Sequence, residues 1–235
     1  MRLLIILSLC LITLNSIGQD FKTDFMEVYK NYNTIEYYTQ EVKISSFDKK
    51  EASKAIYEDK GKIVKDKGNY FSSLGGQKTI IKGANFLHVN TDEKRIIYYY
   101  KENNNAVMME QYKMLLDSLN ASNVKYLGSS NSVKKYVMNS SEQLITRTEL
   151  SLDMKQKVIQ KIVYYYSMKE EHRSSLYKTI ITYKTEQNNK PASSWFDLQK
   201  YISLSNNKAT LKTAYKEYTL TQPKEEKLNW DELPK

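Results

Sequence analysis

In DFKTDFMEVYKNYN, residues 20–33, the apolar and aromatic residues Phe21, Phe25, Val28, Tyr29 and Tyr32 recur at spacings of four, three, one and three, with lysines and acids between them. That period places them on one face of an amphipathic helix. After it the pattern turns strand-like. IEYYTQEVKISSF is rich in aromatic and β-branched residues, and KAIYEDKGKIVKD sets Ala55, Tyr57 and Ile63 against Lys54, Glu58, Lys60 and Lys62. Residues 68–103 hold four short strand patterns broken by GG, KGAN and NTDEK, each break carrying the Gly, Asn or Asp that a tight reversal needs. This predicts an antiparallel meander. The helical period then returns once, with Met108, Met109, Tyr112, Leu115, Leu116 and Leu119 on one face and an asparagine among 103–105 to cap the start. Methionines at that spacing suit ordinary core packing and adaptable apolar contact alike. LITRTELSLD, KVIQKIVYYYSM, SLYKTIITYKTEQ and ATLKTAYKEYTLTQ read as further strands. The sum is helix, four or five strands, helix, then five or so strands, which predicts a mainly β protein built on one large, strongly curved antiparallel sheet.

One short pattern occurs twice: RIIYYYKEN at 95–103 and KIVYYYSM at 161–168. Neighbours on a strand point to opposite faces, so Ile96, Tyr98 and Tyr100 share one side and Ile97 and Tyr99 the other. The second copy divides into Ile162, Tyr164 and Tyr166 against Val163 and Tyr165. A sheet with one wet face does not need apolar groups on both sides. Three readings follow: a satisfied core with tyrosine tips at its rim, a cavity between sheet and helices that admits an apolar ligand, or pairing with another chain.

The amino terminus changes the picture further. Arg2 precedes the apolar run Leu3–Leu14, and Ser16 and Gly18 offer small residues before a cleavage point at Gln19, the form of an export signal. The run is shorter than the ~20 residues that a spanning helix needs, and no later stretch is longer or more apolar. The reading is therefore a cleaved signal peptide at 1–18, one domain at 19–222 and a flexible tail at 223–235, the product being periplasmic or secreted. Cys10 follows Leu9, where a lipidation site wants a small residue, and falls inside the leader; 19–235 then holds no cysteine for a disulfide or thiolate site. Without Arg2 the chain carries 35 basic against 27 acidic residues, but the lysines are scattered, often beside glutamate. They describe a solvated surface more simply than a nucleic-acid patch.

Motifs of catalysis are missing. His88 and His172 lie far apart in ordinary strand or turn contexts, and no metal-ligand spacing, nucleophile elbow or phosphate-cradling glycine loop is present. The expectation is a non-enzyme with no cofactor and no metal.

The order of elements resembles the outer-membrane lipoprotein carrier proteins, the LolA family. GKIVKDKGNYF, residues 61–71, is similar to that family's glycine, apolar strand, basic residue and Pro-Asn-x-Phe, while KGANFLHVNTDEKRI is similar to its following hairpin. The central helix and the late succession LSLDMKQKVIQKI, SSLYKTIITY and WFDL fall in the family's order. The resemblance covers most of 19–235 as an arrangement and about 30 residues as wording. It implies an unclosed antiparallel half-barrel, with the N-terminal and central helices as a lid over an apolar cavity for acyl chains. Lys67 then stands where the family has a lid-holding arginine, with Gly68 for proline and Asn69 and Phe71 matching. A lysine is a point donor in place of a planar fork. After Phe196, DLQKYI replaces a proline-containing loop. The candidate cavity wall is Phe25, Tyr98, Tyr100, Met108, Tyr112, Leu116, Tyr164 and Tyr166, and the partner a lipid or the acyl chains of a lipoprotein. The alternative is an envelope protein-interaction module with a filled core.

Overall fold

The computed structural model describes residues 16–100, 124–140, 144–168 and 175–223, with residues 16–20 described for backbone only. The predicted central helix, and with it Met108, Tyr112 and Leu116, lies outside the described residues, as does His172. Among the described residues one long helix, α1 (Ser16–Thr34), precedes fourteen strands: β1 (Tyr37–Phe47), β2 (Tyr57–Asp66), β3 (Asn69–Leu74), β4 (Gln77–Lys82), β5 (Asn85–Asn90), β6 (Arg95–Tyr100), β7 (Val124–Ser130), β8 (Val133–Asn139), β9 (Ile145–Asp153), β10 (Val158–Tyr166), β11 (Lys178–Gln187), β12 (Ile202–Ser205), β13 (Lys208–Leu211) and β14 (Thr219–Thr221). Twelve of them form one unclosed, curved sheet in the order β14-β6-β5-β4-β3-β2-β1-β11-β10-β9-β8-β7, and β12 and β13 form a separate hairpin. Pairing is antiparallel along the hairpins, whereas β14 runs parallel to β6. The mainly β, half-barrel expectation therefore holds, as does the meander of 68–103 with its four strands.

The chain divides into two compact units, Met1–Thr34 with Lys43–Asp59 and Tyr112–Thr185, and Ile35–Val42 with Lys60–Gln111 and Glu186–Lys235. In the first, α1 lies on β7, β9 and β10. Phe21, Phe25, Val28 and Tyr32 are buried on its inner face. Phe21 meets the ring of Tyr136 edge-on at 5.0 Å. Beside it the buried carboxylate of Asp24 accepts hydrogen bonds from the Tyr136 hydroxyl and from Lys134 Nζ at 2.9 Å. A buried charge tolerates its site only when paired and hydrogen-bonded in this way. The far end of α1 is tied to the β9–β10 turn: Asn31 Nδ2 donates to the carbonyls of Gln156 and Lys157, and the Tyr32 hydroxyl accepts from the Ile159 amide at 3.1 Å.

In the second unit the core is a stack of registered side chains. Val64 opposes Phe71, Phe71 opposes Ile80, Ile80 opposes Leu87 and Leu87 opposes Tyr98. Over this face fold Phe196, Leu198, Tyr201, Ile202 and Ala209 from two short 3-10 turns and the β12–β13 hairpin. Phe196, Leu198 and Ile202 each contribute about 1.5–3 kcal/mol through removal from water. The sequence parity of β2 sets Ile63 and Tyr57 apart from the lysines, yet the buried residue is Val64, on the lysine side, while Tyr57 is exposed. Lys62 shares that side because its Nζ lies over the Trp195 ring, 5.0 Å from the centroid, while its stem follows the apolar surface.

Candidate functional site

The registers show what each tyrosine triplet faces. Residues directly opposed across antiparallel strands share a face. In the first unit, Tyr136 opposes Leu150 and Leu150 opposes Ile162, on the side that α1 covers. One step along, Met138, Thr148, Tyr164 and Thr179 form the next row of that face. Tyr164 and Tyr166 thus come together, both half-buried, and the Tyr166 hydroxyl donates to Thr179 Oγ1 at 3.2 Å. Burial, with Tyr166 adding to it, pushes the Tyr164 phenol above its ordinary value. Phe25 belongs to the same unit and packs beside Phe21, ring centroids 5.7 Å apart. Tyr165 points to the opposite, polar face, where its ring lies 5.3 Å from the Arg147 guanidinium and its hydroxyl donates to Glu149.

The first triplet, in the second unit, behaves differently. Tyr98 is buried in the stack beneath Phe196 and Tyr201, its hydroxyl donating to Asn85 Oδ1 at 2.8 Å. Tyr100, on the same parity, is half-buried and opposes Asn85. The other face carries a row running straight across five strands: Lys65, Tyr70, Ile81, Phe86 and Tyr99. Ile81, Phe86, Ile97 and Tyr99 are buried together, with Tyr70 packed against them. Phe86 and Tyr99 stack at 4.4 Å between centroids, 17° from parallel. Neither Phe86 nor Tyr99 is among the wall residues that sequence patterning selects. The signal lies in the C-terminal run SSWFDLQKYISL, whose apolar residues need one face of this meander and so leave the other to be explained.

One atom on this row is out of place. The Tyr99 hydroxyl is buried and has no hydrogen-bond partner, the one such side-chain atom among the described residues. Burial of this kind costs about 1–3 kcal/mol when uncompensated. The same burial pushes the Tyr99 phenol far above its ordinary range, so it is a donor at every physiological pH. Tyr70 is raised too, chiefly by burial, and at the end of the row desolvation lowers the Lys65 ammonium from its ordinary value. In the adjacent row His88 shares a 3.1 Å hydrogen bond with Thr79 and is depressed by burial and by the Arg95 charge, against a smaller opposing effect of Glu93. Chemically the row is an apolar strip with a buried, unspent O–H donor at one end and a partly desolvated ammonium at the other.

Lys67 sits in the two-residue turn between β2 and β3 at φ 52°, side chain exposed, its amide donating to the Glu36 carbonyl. Among the described residues no group of three or more His, Cys, Asp or Glu is placed to hold a metal, and no helix is long and apolar enough to cross a membrane.

No family model and no curated protein sequence matches the chain. Solved structures do. An uncharacterized conserved protein from Thermus thermophilus is similar over 87% of this chain and 99% of its own, at 9% identity and a TM-score of 0.47. A chain of a Pseudomonas aeruginosa MucA/MucB complex is similar over 83% of this chain and 64% of its own, at 11% identity and a TM-score of 0.36. A LolA superfamily protein from Nitrosomonas europaea is similar over 74% of this chain and 98% of its own, at 10% identity and a TM-score of 0.31. Each of these likenesses is at low identity and a TM-score of 0.47 or below, and none assigns this chain a family, a residue role or a ligand.

Proposed function

We propose that this is an exported, periplasmic, non-catalytic binding protein that holds the acyl chain of a lipid or lipoprotein against the apolar row Tyr70, Ile81, Phe86 and Tyr99. The observation that carries the reading is the Tyr99 hydroxyl, buried in an apolar face with nothing to bond. A methylene chain on that face gains about 0.8 kcal/mol per buried CH₂. A carbonyl or ester oxygen near its head accepts the waiting O–H. Support for export comes from the leader pattern at 1–18, and a non-catalytic role fits the lack of any nucleophile–base arrangement in the row. Tyr164 and Tyr166, in the first unit, offer a second half-buried face that suits an apolar ligand.

The test is organic extraction and mass spectrometry of the protein purified from the periplasm without detergent. Stoichiometric lipid, reduced in Tyr99→Phe, supports the reading. A ligand-free protein that also takes up no fluorescent fatty acid sinks it. A second reading, an envelope protein-interaction module with a filled core, draws on the Tyr98 face, which the chain's own C-terminal segment fills.

A further inference from the structure

A different part of the molecule, sharing no residue with the Tyr99 row, presents apolar side chains outward. Where β1 ends, five neighbouring strands finish or begin side by side: β2, β1, β11, β10 and β9. Hydrogen bonds fix their succession. The Ile56 amide donates to the Ser46 carbonyl at 2.8 Å, Tyr177 to Phe47 at 2.7 Å, Tyr166 to Tyr177 at 3.0 Å and Ser167 to Leu144 at 2.8 Å. Along this rim Ile56 is 57% exposed, Tyr57 52%, Met168 54% and Leu144 52%. Isolated exposed hydrophobics are ordinary, but these four are half of the eight large ones exposed among the described residues, and all lie on one rim of one unit. At ~4.8 Å between strands the rim is roughly 20 Å long.

Charge says what it meets. The β1–β2 connection bears exposed Lys49, Lys50 and Lys54 against Asp48 and Glu51, while just beyond Tyr57 Glu58 is paired with Lys43 at 2.8 Å and Asp59 accepts from the Tyr57 hydroxyl, and Lys178 lies over the Phe47 ring at 4.9 Å. Strand ends offer no free edge for β-pairing with a peptide, whereas short apolar tips set among lysines match the headgroup boundary of an acidic bilayer. We infer that this rim docks the protein on an anionic lipid surface, Ile56, Tyr57, Leu144 and Met168 entering the interface while the lysines meet the headgroups.

The experiment is vesicle flotation of the exported chain, recovered from the envelope of the expressing cell. The vesicles are phosphatidylcholine with or without phosphatidylglycerol. The wild type floats with the acidic vesicles, less with the neutral ones and less at high salt. The variant Ile56→Ser/Leu144→Ser/Met168→Ser, with wild-type circular dichroism because all three side chains are exposed, partitions roughly tenfold more weakly or worse. Lys49→Gln/Lys50→Gln/Lys54→Gln loses the preference for acidic vesicles. Equal flotation of wild type and serine variant, or no flotation of the wild type, overturns the inference. So does a wild-type dimer in sedimentation that the serine variant converts to monomer, which would make the rim a contact between copies. Lipid co-purification through the Tyr99 row is read separately and does not move with these substitutions.

Discussion

Two tyrosines, adjacent in sequence, respond oppositely to losing the same atom. The Tyr98 hydroxyl donates to Asn85 at 2.8 Å, while the Tyr99 hydroxyl is buried without a partner. Removing a satisfied hydroxyl deletes a hydrogen bond of about 0.5–1.5 kcal/mol and strands its acceptor, so Tyr98→Phe destabilises the protein by about 1 kcal/mol. Removing an orphaned one deletes a desolvation penalty of about 1–3 kcal/mol, and the ring keeps its stack on Phe86, so Tyr99→Phe stabilises the ligand-free protein by about 1 kcal/mol. In a chain of this size each kcal/mol shifts the melting midpoint by about 2–4 °C. The assay is urea unfolding of delipidated protein, wild type against the two variants, followed by titration with a fluorescent long-chain fatty acid. If the orphaned hydroxyl binds the head of the ligand, Tyr99→Phe weakens uptake roughly tenfold, the equivalent of one hydrogen bond of about 1.4 kcal/mol, even as it raises stability. The reasoning is refuted if Tyr99→Phe lowers the stability of the delipidated protein, since the hydroxyl then has a partner of its own. Higher stability with unchanged uptake keeps the orphan but removes it from the ligand.

Four further expectations can be measured alongside. Asp24→Ala strands the buried Tyr136 hydroxyl and costs about 2–4 kcal/mol in urea unfolding, more than an exposed ion pair could. His88 is depressed in the folded state, so below its unfolded value of about 6.5 the unfolded chain binds the extra proton; stability is full above that pH and falls as pH drops through the window beneath it, a slope that His88→Gln removes. A Cβ at Gly61 would collide with the Ser73 carbonyl oxygen of the neighbouring strand, so Gly61→Ala costs about 1–3 kcal/mol by thermal unfolding. Lys67, at φ 52°, tolerates Asn within about 0.5 kcal/mol but loses about 1–2 kcal/mol as Val; unchanged ligand release in Lys67→Asn would show a turn residue and no latch.

Legibility in the sequence followed the strength of local chemistry. α1 and the meander of 68–100 were readable because their periods are clean and their breaks carry Gly, Asn or Asp. The β7–β8 hairpin was not, since its turn is Asn131–Ser132 without a glycine and a bulge at Leu127–Gly128 spoils the alternation. Nor was β12, a strand of only four residues closed by the left-handed Asn206 and Asn207, and the single strand expected in ATLKTAYKEYTLTQ is instead β13, a 3-10 turn at Thr213–Tyr215 and β14. In β2, adjacent Ile63 and Val64 are both apolar, and grouping Ile63 with Tyr57 picks the wrong parity: Val64 is the buried residue, on the side where Lys62 lies over Trp195. The triplets were legible as two-faced strands. Which face of β6 is filled depends on Phe196, Tyr201 and Ile202, about a hundred residues away, and no local pattern carries that information.

The order of the sheet also dictates how the chain reaches it. Strands β2 to β6 and β7 to β11 each pair with their sequence neighbours, so two runs of hairpins can form on microsecond timescales from local contacts. Joining β1 to β11 instead closes a loop of roughly 130 residues, the slow step that high contact order imposes. Until it closes, β1 and β11 each present an unpaired edge, and residues 19–235 have no cysteine with which to lock an early partner. The edges of β1 and β11 are thus the last to meet, and the yield of refolding is set by how fast they find each other.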